Sequence, residues 1–275
     1  MTRTWLITGA SSGLGKEMTQ QLLSRGDRVV GAMRGADALA DLKERHPDTL
    51  STIKLDLADP ASIRAAVGAA FEECGRIDVV VSNAGYGLFG AAEEVSDAQI
   101  DRQIATNLTG PIRLIRAVLP RLRAQGGGRI VQVTSEGGQI AYPSFSLYHA
   151  SKWGVEGFIE AVRQEVAPFG IDFVIVEPGP TATNFGAGLD QAKPMDVYDA
   201  TPAGEVRRAI ASGAFEIKGD AQRTAAAMIE TADAQSPALR LALGTSAYEK
   251  ISTALQARLD ALHAQRDVAL SADKS

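Results

Sequence analysis

Along the chain, short runs rich in β-branched residues alternate with longer stretches whose apolar positions recur every three to four residues. The runs are TWLIT (4–8), RVVGAM (28–33), STIKLD (51–56), IDVVVS (77–82), RIVQVTS (129–135) and IDFVIVE (171–177). Several are apolar on both alternating faces, as parallel strands covered on two sides are. Helical spacing fills the intervals at 14–25, 60–74, 97–123 and 146–167. Strand–helix alternation of this kind implies a parallel sheet with right-handed crossovers. Pro111, inside 97–123, either kinks that helix or starts a new one. A seventh run, LRLALG (239–244), is expected at the sheet edge.

The pattern weakens in two places. Residues 180–215 hold Gly, Pro and Ala without clear periodicity and read as a flexible, substrate-facing insertion. At the C-terminus Ile251, Leu255, Leu259 and Leu262 keep helical spacing, which predicts a helix over 245–264. That helix is expected to pack back on the domain, a partner-binding helix being the alternative. No repeat, linker or composition break divides the chain. Residues 1–275 are therefore read as a single α/β domain, a three-layer α/β/α, Rossmann-like, doubly wound sheet of about seven strands.

Composition narrows the function. The 275 residues suffice for one large core, and 45% hydrophobic with 22% charged residues suits a folded chain. A net charge of -5 without a basic stripe disfavours nucleic acid. The apolar runs are strand-sized, so no membrane span is expected. The opening MTRTWLITGASSG enters a structural motif at once and leaves no room for a signal peptide. One cysteine, Cys74, cannot form an intrachain disulfide, and a cytoplasmic location is expected. His46 and His263 lack partners at metal spacing, so no metal site is predicted.

Candidate chemistry starts in LITGASSGLG (6–15), which runs from a strand into a helix. Gly9, Gly13 and Gly15 permit positive φ and let N–H groups approach a phosphate, with a helix N-terminus behind them. Ser11, Ser12 and Leu14 complete the turn. Its spacing differs from G-x-G-x-x-G, but its place on the first strand favours a dinucleotide. An acidic residue at the end of strand two would accept from the ribose 2′-hydroxyl of NAD; Met33 and Arg34 stand there, with no carboxylate until Asp37. An arginine pairs with a 2′-phosphate, so NADP(H) is predicted over NAD(H).

At this point the chain resembles the short-chain dehydrogenase/reductase family. Thr8-Gly9-xxx-Gly13-x-Gly15 matches its cofactor loop, and Asp56-Leu57 resembles the pair that contacts the adenine. Asn83, Ala84 and Gly85 match its Asn-Ala-Gly element, with Ser82 a departure before them. Asn107 and Ser135 match the catalytic asparagine and serine, Tyr148-xxx-Lys152 the signature pair, and Pro178-Gly179-xxx-Thr183 the nicotinamide contact. The resemblance runs from residue 4 to about 185 and thins beyond.

The resemblance implies an oxidoreductase that interconverts a ketone or aldehyde and an alcohol, with Tyr148 as general acid and base. A non-catalytic NADP(H)-binding regulator of the same fold is the alternative. A phenol with pKa about 10 is a poor base near neutrality. An adjacent Lys152 ammonium and an oxidised nicotinamide are expected to lower it by about three units, roughly 4 kcal/mol of differential stabilisation. The resemblance also implies that Ser135 orients the carbonyl, that Lys152 holds the ribose hydroxyls and that Asn107 holds a relay water. His149 projects about 100° away from Tyr148 and reads as structural. Glu136, Tyr142, Phe145, Tyr86, Phe89 and Phe185 flank the motifs and are candidates for a partly aromatic pocket wall. The implied partner is a small carbonyl or alcohol, with a homodimer or homotetramer as assembly.

Overall fold

The computed structural model describes residues 2–214 and 216–273; Met1, Phe215, Lys274 and Ser275, which end the 1–275 and 180–215 spans, lie outside the described residues. β1 (Thr4–Thr8) turns into α1 (Gly13–Ser24), followed by β2 (Arg28–Met33), α2 (Ala40–Arg45) and β3 (Leu50–Lys54). Next come α3 (Pro60–Cys74), β4 (Val79–Ser82), β5 (Leu88–Phe89), α4 (Asp97–Ile104) and α5 (Gly110–Ala124). β6 (Gly128–Val133), α6 (Ser146–Val166) and β7 (Ile171–Pro178) complete the part with clear strand–helix alternation. Beyond it lie β8 (Asp190–Gln191), α7 (Pro202–Ala211), α8 (Ala221–Asp233), β9 (Arg240–Leu243), α9 (Thr245–Ala264) and α10 (Arg266–Leu270).

Seven strands form one parallel sheet in the order β3-β2-β1-β4-β6-β7-β9. Alternation along each strand separates two apolar layers. Leu6, Val30, Val80, Ile130 and Ile175 join α3, α5 and α6 on one face through Phe71, Leu114, Ile115 and Ile159. Ile7, Val29, Val81, Val131 and Val176 meet α1 and α8 on the other through Met18, Leu22 and Met228. Each such side chain contributes about 1.5–3 kcal/mol on burial. The strand order reverses between β1 and β4, which opens a crevice beyond their C-terminal ends. The glycine turn and the Asn83-Ala84-Gly85 turn both lie there.

Every main strand falls within two residues of its predicted limits. The 97–123 pattern is not one helix: a π turn over Ala105–Thr109 separates α4 from α5. α5 starts afresh at Gly110, where an added Cβ would stand 2.8 Å from the Leu57 carbonyl oxygen. The 180–215 stretch, expected as a flexible insertion, carries β8, a 3-10 turn (Asp196–Tyr198) and α7 over its described residues, and β8 pairs in parallel with β5. α8 had no counterpart in the periodicity reading. The C-terminal helix spans the predicted residues and packs on the domain along one side as far as Arg258, whose guanidinium lies 5.0 Å from the Trp153 ring centroid. Ala247 and Ile251 are buried against Ile140, while Leu255, Leu259 and Leu262 are 49%, 45% and 56% exposed. No helix among the described residues is long and apolar enough to cross a membrane.

Candidate active site

The glycine turn and the turn after β4 are locked together. Thr8 is fully buried; its hydroxyl accepts from the Asn83 N–H (3.0 Å) and the Ala84 N–H (3.1 Å) and donates to the Val81 carbonyl (3.3 Å). Asn83 returns a side-chain bond to the Thr8 carbonyl at 2.9 Å. Both side chains thus shape the cradle by bonding to protein. Gly9 adopts φ +69°, and a Cβ there would stand 2.9 Å from the Ala84 Cα. At Gly15 a Cβ would collide with the Gly9 carbonyl oxygen. Ser12 caps α1 without a side-chain bond and is exposed, so its hydroxyl faces outward beside the helix N-terminus, next to Ser11. Leu14 turns towards the core.

Other cofactor candidates follow neighbouring strands of the sheet. Arg34 is exposed one residue beyond β2. Asp56 is exposed after β3, its carboxylate accepting from the Ala58 N–H at 2.9 Å, while Leu57 is buried. Gly85 approaches Asn107: a Cβ there would lie 3.3 Å from the Asn107 Oδ1. Pro178 ends β7, and the Gly179 N–H donates to the Leu243 carbonyl. Thr183 crosses towards the glycine turn, its Cβ 3.6 Å from where a Gly13 Cβ would stand.

Ser135, Tyr148 and Lys152 form a buried corner beside this crevice. The Ser135 Oγ accepts from the Gly137 N–H at 3.0 Å, which leaves its own hydrogen to donate. α6 places the Lys152 Nζ one turn from Tyr148 and 5.6 Å from its ring centroid, while the ammonium donates to the Val133 carbonyl at 3.1 Å. Burial pushes the Tyr148 phenol up to about 12; hydrogen bonding with Ser135 pulls it down, and the Glu136 charge adds to the rise. Burial also lowers Lys152 to about 8 against the opposing charge of Glu156. Burial thus raises the phenol, while the lowering was expected from Lys152 and an oxidised nicotinamide acting together.

Asn107 sits on the π turn, buried, but its side chain does not reach the tyrosine. Its Nδ2 donates to the Tyr86 carbonyl at 2.6 Å, and its Oδ1 accepts from the Tyr86 N–H at 3.2 Å. His149 is held as a neutral tautomer. Its Nδ1 lies 2.8 Å from the Gly137 carbonyl and its Nε2 accepts from the Tyr142 N–H, so the proton belongs on Nδ1.

Aromatic rings surround Tyr148, with Phe185 at 5.8 Å and Phe145 at 6.2 Å between centroids. Phe89 packs behind Phe145 at 5.1 Å. Tyr142 and Phe145 also line a mainly apolar cavity of about 690 Å³ that Ile140, Trp153, Val206 and Ala254 complete. α7 and α9 flank it with Glu249, Lys250 and Arg258 at its rim, while Ser135, Tyr148 and Lys152 are not among its lining residues. Sequence reasoning named Glu136 as a wall candidate but missed its partners Ser246 and Lys250 on α9. It also missed the buried Glu94. That carboxylate accepts from the Ala91 and Met195 N–H groups (2.8 Å each) and pairs with Arg207, fastening the 190–207 segment to the frame. No periodic signal marks either carboxylate.

The family pattern of the short chain dehydrogenases matches residues 3–194. An oxidoreductase of Botryotinia fuckeliana (BOA17) is 35% identical over 251 residues, covering 90% of this chain and 91% of that protein. The crystal structure of a short-chain dehydrogenase from Streptomyces avermitilis superposes with TM-score 0.92 at 35% identity, covering 100% of both chains. A short chain dehydrogenase from Burkholderia cenocepacia, solved in complex with NADP, shares the fold at TM-score 0.75 and 23% identity over 96% of this chain and 97% of that one. With the glycine cradle at the strand-order reversal and the Ser135, Tyr148 and Lys152 corner beside it, the chain belongs to the short-chain dehydrogenase/reductase family.

Proposed function

We propose that this chain is a nicotinamide-dependent oxidoreductase that interconverts a carbonyl and an alcohol, using NADP(H) in preference to NAD(H). The observation that carries the reading is the convergence of Ser135, Tyr148 and Lys152 in one buried corner, with the Phe145 and Phe185 rings around the tyrosine. The cradle fits a dinucleotide: side chains at Gly9 and Gly15 would break the close packing that shapes its turns, and the Ser12 hydroxyl is left without a capping bond. Gly9, Ser11, Ser12, Gly13 and Leu14 would hold the pyrophosphate, with Gly15 starting the helix. Asp56 and Leu57 would hold the adenine end, Ala84 and Gly85 the middle, and Pro178, Gly179 and Thr183 the nicotinamide end. The neighbour bound to NADP supports the fold's capacity for such a ligand; the 2′-phosphate preference rests on Arg34 alone.

When bound, the nicotinamide supplies or takes back the hydride. The chain's own residues handle the proton and the substrate oxygen. Tyr148, its pKa raised to about 12, keeps its proton at neutral pH and serves as the acid that protonates the oxygen of a reduced carbonyl. Ser135 donates its free hydrogen to that oxygen and fixes its direction. Lys152 supplies a nearby positive charge that favours the phenolate left behind. Asn107 fixes the 85–87 backbone; Pro111, four residues on, has no N–H for the Asn107 carbonyl, leaving it suited to a relay water. The Phe145 and Phe185 rings around Tyr148 suit a neutral, moderately apolar substrate.

Direct titration of the ligand-free protein with NADPH and NADH tests the cofactor assignment. NADPH is expected to bind at least about tenfold tighter, and Arg34→Leu to erase the difference. Equal affinities in the wild type would overturn the role of Arg34. A panel of ketones and alcohols, followed at the nicotinamide absorbance, identifies the substrate.

A further inference from the structure

Glu136 lies where the proposed chemistry is most sensitive to charge. It follows Ser135 directly, and its side chain is only 1% exposed. Both side-chain donors to its carboxylate come from α9: the Ser246 hydroxyl donates to Oε2 at 3.0 Å and the Lys250 ammonium to Oε1 at 3.1 Å. Those donors are four residues apart, so one helix face presents both. Ala247 and Ile251 hold that face against Ile140. Gly179 leaves room for the carboxylate, since a Cβ there would stand 3.2 Å from Oε2.

We propose that Lys250 is a positioning residue for the reaction, neutralising Glu136 and so setting the charge that Tyr148 experiences from the far side of the site. This rests on the reading of Tyr148 as the general acid and base. The negative charge of Glu136 acts on three neighbours at once. It adds to the burial that raises Tyr148 and Tyr142, and it opposes the burial that lowers His149. Among the described residues, the other polar or titratable groups around Tyr148 are Ser135 after β6, Tyr142 on the preceding loop, and His149 and Lys152 on α6. Lys152 is engaged with the Val133 carbonyl, and the 183–189 loop contributes the uncharged Phe185. Lys250 is therefore the cation that answers Glu136; its amine also lies 6.0 Å from the Tyr142 ring. Without it the carboxylate keeps Ser246 as its remaining side-chain donor, and a bare negative charge disfavours the phenolate further.

The test compares Lys250→Met, Glu136→Gln, the double variant and Lys250→Arg. In alcohol oxidation the acidic limb of the pH–rate profile is expected to move up by about one unit in Lys250→Met and down in Glu136→Gln. The double variant falls between the wild type and Glu136→Gln, and Lys250→Arg stays with the wild type. His149 reports the same charge without turnover. The chain has three histidines, and NMR titration of the protein without cofactor should show His149 raised by Lys250→Met, lowered by Glu136→Gln and close to the wild type in the double variant. If the double variant matches Lys250→Met in rate profile, or His149 fails to move in that order, Lys250 only holds the helix and the proposal is wrong. The NMR series stands apart from catalysis, so an error in the role of Tyr148 would show as turnover by Tyr148→Phe with the histidine ordering unchanged.

Discussion

The frame from β1 to β7 and the cover made by residues 190–214 with α9 are held by different forces. The frame rests on a parallel backbone ladder and two apolar layers, with strand residues such as Val79, Val80 and Val81 buried throughout. The cover adds a two-residue strand pair and little core, and buried carboxylates fasten it: Glu94 to Arg207, and Glu136 to Ser246 and Lys250. β9 is tied in the same way, Arg240 pairing with Glu156 at 2.6 Å and Glu177 at 2.5 Å. Hydrophobic burial is non-directional and tolerant of side-chain exchange, whereas a buried ion pair fails when either partner is removed. The comparison teaches that the frame carries the glycine cradle and the Ser135, Tyr148 and Lys152 corner, while a few charged fastenings hold the cover in place.

The largest effect is expected from breaking the frame where it is tightest. Gly15→Ala puts a methyl group into the Gly9 carbonyl oxygen, and about 3 kcal/mol or more of stability should be lost along with cofactor binding. Denaturant unfolding and cofactor titration measure both; a variant of wild-type stability and affinity would contradict the cradle geometry. Arg207→Met sharpens the other side of the comparison. It strands the buried Glu94 carboxylate and should cost about 3 kcal/mol locally. Faster hydrogen exchange confined to 190–211 and a raised KM are expected, with the frame amides unchanged. Uniform destabilisation of the whole sheet would show that the cover is not a separate unit.

A smaller, pH-dependent effect distinguishes the catalytic corner. Lys152 has a folded pKa of about 8 against a reference of 10.5, so between those values the unfolded chain binds more protons. Its contribution to stability therefore rises with pH from about 8 to 10.5, and Lys152→Met should flatten that rise. Thermal unfolding of both proteins across this window checks the sign. A steeper rise in the variant would mean that the amine is not desolvated as described.

How much of this was legible follows the same division. Strands buried on both faces show as continuous apolar runs, and the glycine turn and the Tyr148–Lys152 pair carry their spacing openly, so the frame and most candidate residues could be read directly. β5 and β8 are two residues long and leave no pattern. α8 was readable in hindsight: Ala225, Met228, Ile229 and Ala232 keep helical spacing behind the Asp220 cap. The spacing of Leu255, Leu259 and Leu262 identified a helix face correctly but not whether anything covers it. Glu94 and Glu136 resemble any solvated carboxylate in a sequence, because burial of a charge depends on partners far along the chain. At Tyr148 helical spacing reveals the neighbouring amine but not the burial that raises the phenol, for a related reason.

The central claim is that Tyr148 passes the proton while the frame binds the cofactor independently. Tyr148→Phe, assayed for turnover and for cofactor affinity in the same preparation, tests it most directly. The account predicts a fall in kcat of about 10²- to 10⁴-fold with the dissociation constant within about twofold of wild type. Turnover near the wild-type rate would contradict it.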